Sequence, residues 1–195
     1  MKLVPAFALA AALAAGAGTL AVAAGAPLTP MSPGFHQLLK CTPQGYVTID
    51  VATADPKVAP HASLVTTAIA SGPSVTRTTA VREADAQGDI YALGYVLQPG
   101  VVKRFARRLL LPAAPPAAGE RSTYFNLTGI VIDKHFEGTQ PTRDGAGRPA
   151  TGYLFSDYLS GRKLNAIVYV PGTGVTEARF FGAGSGGDVV CRLNH

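Results

Sequence analysis

The feature that most constrains this chain is the rhythm of its turn residues. From Tyr46 to Leu193, clusters of Gly, Pro, Asn, Asp and Ser keep cutting short apolar runs before they can form long helices. Between the cuts the pattern is often period two. Val47, Ile49 and Val51 share one face and Thr48 and Asp50 the other, which is a half-buried strand. Residues 76–82 alternate weakly. Residues 90–97 are apolar on both faces, as a central strand would be, between the turn signals Gln87-Gly88-Asp89 and Gln98-Pro99-Gly100. Residues 123–132 read as the longest strand, and 137–152, with four Gly and two Pro, as a long loop. Residues 153–159 and 163–170 read as a hairpin around Ser160-Gly161-Arg162, followed by strands at 175–181 and 188–193. Segments 61–70 and 101–111 fit helix or strand; strand context favours strand for the first. The expectation is a mainly β, single-domain antiparallel β-sandwich or barrel. It should have about eight or nine short strands and at most one or two short helices.

Length agrees with one domain: 195 residues against about 150 per domain. The N-terminus reads as a secretory signal, with Lys2 before an Ala-rich apolar stretch and Ala21-Val22-Ala23 as a small-residue cleavage motif. The expected organisation is a signal peptide at 1–24, a Pro-rich leader at 25–40, and a single β domain at 41–195. The chain is then exported, to periplasm or medium. The chain has 2 Cys. In an oxidising compartment Cys41 and Cys191 should form a disulfide that ties the start of the domain to its end.

Candidate chemistry is sparse. Asp133, His135 and Glu137 alternate, so a strand running through them would put carboxylate, imidazole and carboxylate on one face. That set suits a metal ion or a carboxylate-tuned proton-transfer His. Solvated charge at a strand end is the plainer reading, with Lys134 equally solvated. Asp144 and Asp157 are the nearest further donors. Lys103, Arg104, Arg107 and Arg108 make a basic patch between apolar residues. As a helix it would present a basic face to an anionic membrane or an acidic polymer; as a strand it would be a solvated basic face. The run Gly182–Gly187 matches a dinucleotide-binding spacing, but only 8 residues follow it, too few for the helix and second strand that such a site needs. It reads as a hairpin loop.

The leading functional expectation is an exported, non-catalytic β domain that binds another macromolecule: an envelope component, a host surface or a target enzyme. One alternative is a small secreted hydrolase or metal-dependent enzyme using Asp133, His135 and Glu137. Another is a membrane-active or toxin-like protein working through residues 101–111. No cofactor is expected apart from a metal at that trio. The expected partner is a protein or envelope component, with a membrane surface second and nucleic acid excluded by export.

Overall fold

The computed structural model describes residues 27–57, 59–184 and 187–194; the signal expected at 1–24 lies outside them. The described residues hold twelve strands and no helix: β1 (His36–Thr42), β2 (Tyr46–Thr53), β3 (Ser63–Ser71), β4 (Ser74–Ala84), β5 (Ile90–Gln98), β6 (Val101–Leu111), β7 (Arg121–Phe125), β8 (Val131–Arg143), β9 (Pro149–Leu159), β10 (Arg162–Val170), β11 (Gly174–Gly184) and β12 (Gly187–Leu193). They make one antiparallel sheet, ordered β6-β5-β4-β3-β2-β1-β12-β11-β10-β9-β8-β7 and rolled into a nearly closed barrel. The β class and antiparallel pairing match expectation; the strand number does not, since β1, β6 and the division of 123–132 bring it to twelve, and three segments differ from their reading.

First, residues 123–132 are not one strand. Asn126 Oδ1 accepts hydrogen bonds from the backbone amides of Thr128 and Ile130, and Gly129 takes φ +94°, so the chain turns back between β7 and β8. Second, most of the expected loop at 137–152 is the outer half of the β8–β9 hairpin, paired from Gly138–Leu154 to Arg143–Pro149. Its polar side chains face water, and the true turn is Asp144 to Arg148, where Asp144 Oδ1 accepts from the amides of Ala146 and Arg148. Third, residues 27–40 are not a leader outside the domain. β1 begins at His36, and residues 27–35 cross one end of the barrel with Leu28 and Thr29 buried. Backbone bonds from Gly172 to Pro27 and from Val51 to Phe35 hold them there. Pro removes amide donors but leaves apolar bulk, so a Pro-rich segment serves as a plug.

Of residues 61–70, 63–70 fall in β3, and residues 101–111 form β6, a strand at the edge of the sheet. β6 carries an irregularity: Ala92 pairs with Arg108 but Gly94 with Arg104. The excess residues bulge, and the Lys103 carbonyl presses against Gly94 so closely that any side chain there would collide with it.

The main core fills the barrel with Leu28, Leu39, Val47, Phe136, Phe155, Tyr169 and Val175 among others. Burying each such side chain contributes about 1.5–3 kcal/mol. A second cluster lies on the outer face, where Ala54, Ala59 and Ala62 of the β2–β3 connection pack on Val81, Leu64 and Leu93.

Opposite the plug, the barrel ends in tight hairpins. β1 and β12 pair directly, with Cys41 across from Cys191 and their sulfurs bonded at 2.02 Å. β6 and β7, the two sheet edges, meet through side chains. Tyr95 donates to the Phe125 carbonyl at 3.0 Å, Lys103 to the carbonyls of Leu127 and Thr128, and Phe105 stacks on Phe125 at 5.1 Å. This seam covers both edges without a backbone ladder.

Candidate binding site in the barrel interior

Alternation along β8 decides where its charges go. Ile132, Lys134 and Phe136 are buried and point into the barrel, so Asp133, His135 and Glu137 point out. The trio does share one face, as its spacing requires, but that face is convex. His135 stacks on Tyr158 at 4.3 Å between ring centroids. Glu137 accepts a hydrogen bond from Tyr158 at 2.8 Å and pairs with Lys163 at 3.1 Å. Asp144 is held by Arg148 at the plugged end, and Asp157 faces the opposite side of the sheet. Among the described residues, no three His, Cys, Asp or Glu side chains gather as a metal-holding group.

For Glu137, burial opposes ionisation, but the bonds from Tyr158 and Lys163 outweigh it and hold the carboxyl below its ordinary value of 4.5. A carboxylate depressed on folding stabilises the fold above its unfolded pKa and loses that contribution as pH falls through the folded value. The melting temperature should therefore drop below about pH 4.5. Glu137→Gln should lower it at neutral pH and flatten the acid limb; an unchanged acid limb in a pH series of thermal melts would refute this contribution.

The interior contains what the sequence reading left in solvent. Lys134 lies directly across from Asp157 in the β8–β9 ladder, and the two form an ion pair at 2.7 Å with both side chains only 4% exposed. Tyr124 on β7 donates to Asp157 Oδ2 at 3.0 Å. Burial first, and then the charge on Asp157, push the Tyr124 phenol well above its ordinary range, so it remains a neutral donor. Burial also raises Tyr95 and Tyr169. The Asn165 carbonyl oxygen is buried without a hydrogen-bond partner. Arg82 projects inward from β4. Together these groups line a cavity of about 250 Å³ that reaches Thr76 and Thr78 near the hairpin end. The signal for Lys134 was present: Ile132-x-Lys134-x-Phe136 places it on the apolar row, where a lysine needs a buried partner.

The basic patch is largely engaged. Lys103 ties the seam, Arg107 reaches Glu83 at 3.2 Å and lies 3.3 Å above the Tyr91 ring, and Arg108 lies over Phe125; Arg104 is exposed. The Gly182–Gly187 run spans the β11–β12 connection, where Ser185 and Gly186 lie outside the described residues.

No protein-family model matches the chain, and no curated protein matches it. A solved structure described as a "putative lipoprotein" from Parabacteroides distasonis is similar over 87% of this chain and 97% of its own, with 12% identity and a TM-score of 0.40.

Proposed function

We propose that this chain is an exported, non-catalytic binding barrel whose partner is another macromolecule of the cell envelope. Export is supported by the signal-like N-terminus and by the Cys41–Cys191 bond, since such bonds persist in oxidising compartments. The observation that carries the binding role is a rim of exposed aliphatic side chains at the hairpin end. Val75, Leu97, Val101, Leu127, Ile130 and Val131 lie in or beside the β3–β4, β5–β6 and β7–β8 turns, with Leu97 54% exposed. Single exposed apolar residues are ordinary, but a cluster on neighbouring turns marks an interaction surface. Lys103 bridges the second and third of these turns, so the rim is held as a unit.

The test is co-sedimentation of the mature protein with envelope fragments, compared with Leu97→Asp/Ile130→Asp. The variant should stay within about 0.5 kcal/mol of wild-type stability, as surface changes do. It should lose at least about ten-fold in retention, the effect of about 1.4 kcal/mol at an interface. Retention that survives the substitutions would refute the rim. Equal retention on protein-free lipid vesicles, weakening with salt, would replace the proposed partner with a membrane surface.

A further inference from the structure

Among the described residues the interior holds three charged side chains, Arg82, Lys134 and Asp157. Two of them neutralise each other across the β8–β9 ladder. Arg82 has no carboxylate within ion-pair distance among the described residues. The cavity therefore keeps one uncompensated positive charge on a half-buried side chain, where an anion is held more strongly than in open water. A guanidinium presents a planar fork that matches a carboxylate.

A second chamber, of about 120 Å³, shows what the anion carries. Arg82 borders it as well as the larger cavity, and Thr67, Ile69, Ile167 and Tyr169 are also common to both. Its other walls are mostly apolar, including Leu39, Val47, Ile49 and Phe180. The plug residue Thr29 closes it from below. Arg82 thus stands where a polar shaft meets an apolar pocket. An inorganic anion would leave the pocket unused, and an alcohol would leave the charge unpaired. The two chambers together sit at the small end of the range for ligand sites, roughly 300–1,000 Å³, which excludes a whole two-chain lipid.

We infer that the barrel interior is a binding site for a small monocarboxylate with a short aliphatic tail, the carboxylate on Arg82 and the tail in the chamber beside Leu39 and Val47. The site is independent of the rim. Calorimetric titration of the mature, disulfide-bonded protein with butanoate, hexanoate, octanoate and octan-1-ol tests it. Octanoate should bind at least ten-fold more tightly than octan-1-ol. Each methylene that enters the chamber should tighten binding about four-fold until the chamber is full. Arg82→Gln should abolish octanoate binding, with the melting curve reporting that the variant is folded. Should that variant not fold, Val47→Phe, which narrows the chamber, should weaken octanoate while leaving butanoate unchanged. Equal affinity for octan-1-ol, unchanged binding by a folded Arg82→Gln, insensitivity of octanoate to Val47→Phe, or no octanoate binding at millimolar concentration would each overturn the assignment.

Discussion

Replacing both cysteines, as Cys41→Ala/Cys191→Ala, should lower the melting temperature by about 4–20 °C. The bond closes a loop with a sequence separation of 150 residues. Chain-entropy reasoning assigns such a loop about 5 kcal/mol, and removing a native bridge costs about 2–5 kcal/mol in practice. For a domain of this size each kcal/mol shifts the midpoint by roughly 2–4 °C. The location adds to the effect. Cys41 and Cys191 are register partners in the β1–β12 ladder, and Cys191 is fully buried within the main core. Paired thermal melts of native and double-variant protein check this. A midpoint that moves by less than about 2 °C would mean that the ladder and core alone hold the ends together.

Lys134→Met should destabilise the barrel by about 3–5 kcal/mol, because it leaves the Asp157 carboxylate buried with only the Tyr124 hydroxyl for a partner. Removing the whole cluster should do far less harm. In Lys134→Met/Asp157→Leu/Tyr124→Phe every interior polar group of the triad is replaced by an apolar one of similar bulk, and stability should return to within about 1.5 kcal/mol of wild type. Urea unfolding with an unchanged slope measures both. If the single and triple variants fall equally, the triad's role is packing and not charge compensation.

How far the fold could be read from the sequence depended on whether a strand had one wet face. β2 and the β9–β10 hairpin show alternation or a turn signal, and both were readable. β7 and β8 were fused because Leu127 and Ile130, though in the turn, are apolar and exposed, so nothing in the hydropathy marks the break; Asn126 and Gly129 were the only cues. The outer half of β8 carries Thr139, Gln140, Pro141, Thr142 and Arg143, a composition that resembles a loop, yet its backbone pairs throughout with β9. The candidate site shows the same effect on a smaller scale. Reading Asp133, His135 and Glu137 as the chemical face of β8 was right about the alternation and placed the chemistry outside. Which of two alternating rows faces in is set by long-range packing, and here Phe136 against Phe155 sets it. The interior charges Arg82, Lys134 and Asp157 come from three strands, and no spacing in the sequence joins Arg82 to the other two.

The sheet order also fixes an order of events in time. Every pairing except one joins strands that follow each other in the chain, so β1–β6 and β7–β12 are two meanders that each zip from hairpin to hairpin with little loop entropy to overcome. The exception is β1 with β12, the first strand with the last. As the chain emerges, β1 can pair with β2 at once, but its other edge has no partner until the final strand has followed, and that open edge must wait through the assembly of everything between. The meeting of the two ends is the step expected to be slow and concentration-sensitive, since stray pairing with another chain competes most directly there.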